Sequence, residues 1–402
     1  MGIEIFILEV FLYHSCSCFL LMPCHGLPTK LFDVRNYGAI ADGKTYNTEA
    51  FLKAWKDACA HQGKSRFYIA PGTFLLESVI FEGPCKGSMS FLLKGTLKAP
   101  TEKSKFSTDT WIGFRYLDDL TVKGGGYLDG QGKFAWPYND CSRNSNCGPL
   151  PVSMRFDFVN NSRIHHLKSI DSKNTHFSIF ACHNMNISKV RITAPEDSPN
   201  TDGLRIGFSR NIKISRSVIG TGDDCISMLY GSQDIDIYDV SCGPGHGISV
   251  GSLGRSHEDE YVTRISVKNS SFVGTQNGLR IKTWSPSLYS LASDMNFEYI
   301  SMNNVRNPIV IDQQYCPFPP CGSWGHSTSS AVQIKNVMFK NIWGTSNSKV
   351  AINLKCSGLM PCQRIELRDI NLAYNGPGGR ATSLCSNVRG SAYGKQRPPP
   401  CF

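Results

Sequence analysis

The sequence predicts an all-β chain, a single-domain right-handed parallel β-helix of about ten coils with an N-terminal capping helix. Three observations lead there. Short runs that alternate apolar and polar residues recur every 23 to 37 residues from position 186 onward. Only one stretch, near position 50, carries the 3.6-residue apolar period of an amphipathic helix. No helical period lies between the β-rich runs, which removes a βαβ layout and leaves coils that stack directly on one another. A propeller is the other all-β arrangement, but it asks for longer blades and antiparallel hairpin turns.

Residues 1–26 are apolar over 5–12 and 19–22 and end in Cys24-His25-Gly26. Small residues three and one before a cut after Gly26 suit a secretory signal. The segment carries Glu4 and Glu9 and no Lys or Arg, so an uncleaved membrane anchor is the alternative. Residues 27–402 form the expected single domain. Its 13 cysteines, of 16 in the chain, suit a secreted protein with up to six disulfides and one free thiol. Cys356 with Cys362 and Cys385 with Cys401 are the expected local pairs, and Cys225 with Cys242 a pair one coil apart. Cys182, inside an apolar run, is the expected unpaired one. Asn160, Asn186 and Asn269 head Asn-x-Ser sequons, as glycan acceptors do.

Positions 31–42 (LFDVRNYGAIAD) suit a strand and then a Gly/Asp turn. Asn47 stands at the N-cap of a helix over 48–59, with Phe51, Leu52, Trp55, Ala58 and Cys59 on one face. One helix ahead of a long β region fits an end cap, because a solenoid's terminal coil otherwise exposes its core. Further runs follow at 67–69, 89–93 and 120–122. The repeat becomes regular at Asn186-Ile187 and restarts at Asn211-Ile212, Asp234-Ile235, Arg264-Ile265, Met295-Asn296, Val332-Gln333 and Arg364-Ile365. Positions 136–151 break it, and Cys141 with Cys147 marks a stapled loop there. The Pro-rich end, 390–402, looks extended and tied down by Cys401.

Four motifs carry the chemistry: Asn200-Thr201-Asp202-Gly203, Gly222-Asp223-Asp224-Cys225, Gly245-His246-Gly247 and Arg280-Ile281-Lys282. Asp223 follows Asp202 by 21 residues and His246 follows Asp224 by 22, close to one coil each. A solenoid sets such groups side by side on one wall, roughly 4.8 Å apart per rung. Each motif alone is an ordinary turn or a solvated strand face; chance turns do not keep phase over consecutive coils. Glycosidic hydrolysis needs a protonated carboxylic acid at the leaving oxygen and a carboxylate that activates water or attacks. Crowding raises the pKa of at least one acid. Asp223 and Asp224 both reach the cleft only if the chain bends at Gly222, since strand neighbours point to opposite faces. His246 is placed to tune the acid, and Arg280 with Lys282 forms a cationic clamp for a substrate carboxylate. Calcium held by the three Asp is the competing use of the cluster; the adjacent cations argue against it, so neither metal nor cofactor is expected.

In this order and spacing the motifs resemble the polygalacturonases, family 28 of the glycoside hydrolases, over essentially the whole chain after the leader. The surrounding wording (Asp129-Gly130-Gln131-Gly132, Arg155-Phe156-Asp157-Phe158, Gly243-Pro244-Gly245, Gly251-Ser252-Leu253-Gly254) is most similar to the plant enzymes, especially the exo-acting pollen type. The resemblance implies an inverting hydrolase of α-1,4-linked galacturonan, with Asp223 as general acid and Asp202 with Asp224 positioning and deprotonating water. It implies that His246 supports the acid, that Arg280, Lys282 and Tyr315 bind galacturonate, and that Asn200 lines the cleft. Inversion comes from the resemblance alone, because a one-coil step separates carboxylates by only ~5 Å, a spacing associated with retention. Met228-Leu229-Tyr230 departs from the small or polar residues usual there, bulk expected either to narrow a subsite or to weaken turnover. Glu196 replaces a usual Gly, and Tyr46-Asn47 a common Asp pair.

The formal charge of +10, or +12 without the leader, fits an acidic partner such as galacturonan. No block of five Lys or Arg and no nucleic-acid motif is present, so nucleic acid is not an expected partner. The expected protein is a secreted, cell-wall monomer that meets no membrane after signal cleavage. The alternatives are a hydrolase of a related backbone such as rhamnogalacturonan and a wall-binding protein that kept the fold without the activity.

Overall fold

The computed structural model describes residues 28–139, 148–255, 260–317 and 329–402. Its dominant element is a stack of parallel rungs. One face is an 11-stranded sheet that takes one strand per coil, from Val79–Glu82 at the N-terminal end to Thr382–Ser386 at the other. The remaining faces form a 20-stranded sheet, and the pairings among the described residues are parallel. This is the right-handed β-helix of about ten coils that the sequence predicts, with eleven strands in this sheet among the described residues.

Alternation along each rung decides what is inside. Ile206, Met228, Val250, Ile281, Ile311 and Leu354 lie opposite one another in successive strands, all buried. Each such side chain contributes about 1.5–3 kcal/mol by leaving water, and the polar residues between them form the outer wall. At the N-terminal end the filling is aromatic: Phe67 stacks on Phe91 at 5.2 Å and Phe114 on Phe156 at 5.3 Å.

The helix Thr48–Ala60 seals that end, with Trp55 packed against Phe67, Phe81 and Phe114. Two details differ from expectation. Leu52 is 41 % exposed, and Ala50 and Ala54 take the inner face beside Phe51, Trp55 and Ala58. Asn47 makes no side-chain cap; it accepts from the Ile40 amide and donates to Thr45 O, fastening the preceding turn instead.

The coils bend at repeated positions, one of which follows the predicted restarts. Asn161, Asn184, Asn211, Asp234, Arg264, Asp294, Asn336 and Arg364 all have φ between 46° and 60°, the left-handed region that Asn and Asp enter most readily. The Asn side chains bridge neighbouring coils, Asn184 Nδ2 to Asn161 Oδ1 at 2.9 Å and Asn211 Nδ2 to Asn184 Oδ1 at 2.6 Å. This phase also corrects one repeat boundary: Val337, not Val332, stands opposite Met295 and Ile365.

Disulfides join Cys59–Cys85, Cys225–Cys242, Cys356–Cys362 and Cys385–Cys401, and Cys316 is also bonded. Cys182 is free and buried, as expected, and burial pushes its thiol up to about 12. The Cys141–Cys147 staple and the leader lie outside the described residues. Among those residues no helix is long and apolar enough to cross a membrane.

Candidate active site

Three consecutive rungs build the site. The strands Leu204–Gly207, Ile226–Met228 and Ile248–Leu253 pair with Leu204 opposite Ile226 and Ile226 opposite Ile248. Asp202, Asp224 and His246 each precede one of these aliphatic anchors by two residues, so an equal spacing in sequence becomes a row on the wall. Asp223 stands one residue earlier, in the turn.

That turn requires glycine because the backbones approach closely. A Cβ at Gly222 would lie 2.0 Å from Ser198 O. Gly247, beside His246, has φ +90° and would bring a Cβ within 2.2 Å of Asn277 O. The glycines thus let Asp223 and His246 sit against each other: His246 Nδ1 is 3.0 Å from Asp223 Oδ1. The same Oδ1 accepts from the Asp224 amide at 2.8 Å, and the His246 amide donates to Asp223 O.

Asp202 and Asp224 occupy similar cradles one coil apart. Asp202 accepts from Arg205 Nη2 through Oδ1 and from Ser227 Oγ through Oδ2, both at 2.9 Å. Asp224 Oδ1 accepts from Ser249 Oγ at 2.7 Å and Arg280 Nη2 at 2.8 Å, while Oδ2 accepts from Lys282 Nζ at 2.9 Å. The cradles differ in charge, and that separates the two acids. Burial raises the Asp202 carboxyl above its ordinary value; Arg205 opposes the rise and the negative charges of Asp223 and Asp224 add to it. Burial pushes Asp224 the same way, but Lys282 and Arg280 reverse the effect and hold it at about 2.

One atom from each of Asp223, Asp224 and His246 can be chosen so that all lie within 4.8 Å of one another, a spacing compact enough for a cation. Both Asp224 oxygens already carry an ammonium or a guanidinium. Side chains therefore supply the positive charge, and they would repel a metal ion brought into the same space.

Asp202, Asp223, Asp224, His246, Arg280, Lys282 and Tyr315 all line one cleft of about 480 Å³. Tyr315 lies opposite Trp284 and places its ring 5.3 Å from Lys282 Nζ. Two expectations are revised. Arg280 and Lys282 are not an open clamp: their side chains, 12 % and 10 % exposed, are committed first to Asp224. Asn200 does not line the cleft; it is exposed, with φ 56°, and its Oδ1 accepts from Asn139.

Arg205, Ser227 and Ser249 were not singled out in the sequence, yet they hold the two acids. Their signal was available, since each stands three residues after Asp202, Asp224 or His246, and they lie opposite one another in register with Arg280. Of the unusual Met228-Leu229-Tyr230 run only Leu229 lines the cleft. Met228 is fully buried in the core, and Tyr230 packs on Phe208 at 4.8 Å.

Residues 59–395 match the model of the glycosyl hydrolases family 28. An exopolygalacturonase of Platanus acerifolia is 45 % identical over 369 residues, covering 92 % of this chain and 97 % of the relative. An exopolygalacturonase of Oenothera organensis is 46 % identical over 356 residues, covering 88 % and 98 %. Among solved structures, the hyperthermoactive exopolygalacturonase of Thermotoga maritima superposes with a TM-score of 0.70 at 17 % identity, covering 90 % of this chain and 92 % of that one, a likeness of fold.

Proposed function

The chain belongs to family 28 of the glycosyl hydrolases and is a pectin-degrading hydrolase; we propose that it cleaves α-1,4-galacturonosyl linkages at the ends of galacturonan chains, with inversion, outside the cell. The observation that carries the chemistry is the split between two stacked carboxylates, one with raised proton affinity and one held ionised, beside an Asp–His pair.

In this proposal Asp223, the least enclosed of the three acids, donates its proton to the glycosidic oxygen while His246 Nδ1 orients its carboxyl. Asp224 stays anionic under Lys282 and Arg280; it positions the water and stabilises the positive charge that develops on the sugar. Asp202, whose burial gives it the greater proton affinity, accepts the proton from that water. Arg280 and Lys282, beside Asp224, and Tyr315, beside Lys282, then face the substrate carboxylate in the same cleft. The disulfides agree with an oxidising compartment, and the acidic polymer suits a basic protein. The protein would act as a monomer, after removal of residues 1–26.

Reducing-sugar release from polygalacturonate tests the reading, with Asp223→Asn as the control. Wild type should release galacturonate whose first-formed anomer, by NMR, is β. Asp223→Asn should lower kcat by about 10²–10⁴. A first-formed α anomer overturns inversion, and an unchanged kcat in the variant overturns the acid assignment.

A further inference from the structure

A second cavity of about 250 Å³ adjoins the catalytic cleft on the side of the earlier coils, and Leu229 and Arg205 line both. The other walls of the second cavity include Phe180, Gly207, Tyr230, Arg155 and Asn174. Arg205 is held by Asp202, so the movable part of the partition is Leu229.

Its surroundings explain why one side chain suffices. Leu229 follows Met228, which lies opposite Ile206 on one side and Val250 on the other. The next residues of those two strands are Gly207 and Gly251. A Cβ added at Gly207 would lie 3.8 Å from that of Leu229, and Gly251, at φ +98°, leaves no room for one. Along the stacking direction Leu229 is therefore a single peg with a glycine before and after it. Gly251 belongs to the catalytic cleft, Gly207 to the second cavity, and Leu229 to both. Leu229 has no side-chain neighbour in its own row and stands, with Arg205, between the two cavities; its removal leaves a row of backbone.

We propose that Leu229 is the chain-length gate of this enzyme: its side chain confines the substrate to the catalytic cleft, so that cleavage occurs at chain ends. The second cavity beyond it takes a further galacturonosyl residue when the peg is absent. Phe180, Phe208 and Tyr230 supply apolar surface for a pyranose ring there; the polar side is Arg155, which already binds Asp157 and Asp109, and Asn174, which donates to Leu150 O. The proposal rests on the exo-acting reading and adds the residue responsible for it.

The test compares wild type, Leu229→Gly and the bulk-preserving Leu229→Met on polygalacturonate, by chromatography of early products and by viscosity loss per reducing end. Wild type and Leu229→Met should release monomer and leave viscosity nearly unchanged at low conversion. Leu229→Gly should release a ladder of oligomers, lose viscosity early, and gain about tenfold in kcat/KM for long over short oligogalacturonides, the worth of about 1.4 kcal/mol of added binding. Leu229 is only half buried, and a far-ultraviolet spectrum and melting curve confirm that each variant is folded. If folded Leu229→Gly still yields only monomer, the gate is overturned while the exo reading stands. If wild type already yields a ladder, the exo reading itself falls.

Discussion

Replacing Lys282 by Met keeps the length of the stem and deletes one charge, and its consequences follow from the Asp224 cradle. Asp224 is 1 % exposed and is displaced from 3.8 to about 2. At about 1.4 kcal/mol per pKa unit that displacement corresponds to roughly 2–3 kcal/mol of stability, already net of the burial that opposes it. Its folded value is depressed, so this contribution is present above the unfolded pKa near 3.8 and is lost as pH falls toward 2. Lys282 is the larger of the two cationic causes. Without it, burial faces Arg280 and Ser249 alone and the carboxyl rises. At pH 7 Lys282→Met should therefore be at least ~2 kcal/mol less stable than wild type, within the few kcal/mol typical of a broken buried pair. The two stability curves should converge as pH falls from the raised value of the variant's Asp224 to about 2, below which Asp224 is protonated in both. Denaturant unfolding at intervals from pH 7 to pH 2 measures this. Parallel curves, with the same difference at every pH, would refute the claim that Lys282 acts through the charge of Asp224.

Two further outcomes follow. Arg205→Met removes the cation that opposes the rise at Asp202, so the acid limb of the kcat/KM profile should move to higher pH by about one unit; a lowered plateau with an unmoved limb would exclude Asp202 as the proton acceptor. Replacing Cys225 and Cys242 together by Ala opens a 17-residue link at the base of the Asp223-Asp224 turn and should cost about 2–4 kcal/mol in denaturant unfolding, whereas a loss under about 0.5 kcal/mol would show that the link does not brace the fold.

The sequence by itself determined the architecture and the row of Asp202, Asp223, Asp224 and His246, though not the residues that cradle it. A parallel ladder converts an offset of one coil into contact across a rung, so the 22-residue spacing of Asp202, Asp224 and His246 already implied a row of chemical groups. The Asn-Ile and Asp-Ile restarts likewise mark one row of left-handed bends, and the predicted repeat misplaces a boundary only at Val332. Local motifs gave the glycines around His246 and the unpaired Cys182.

Tertiary structure decided the inequality within the row. Arg280 and Lys282 were legible as a pair on one face, but which anion they meet depends on the fold, which brings them to Asp224, 56 and 58 positions earlier in the chain. Burial and counter-charge then push Asp202 and Asp224 in opposite directions although both are Asp residues on the same turn of the repeat. Leu229 shows the same limit. Its bulk is visible in the sequence, but its position between two cavities exists only because Gly207 and Gly251 are brought beside it by stacking. Spacing fixes which residues are neighbours along a ladder; desolvation and the direction of each side chain are properties of the assembled wall.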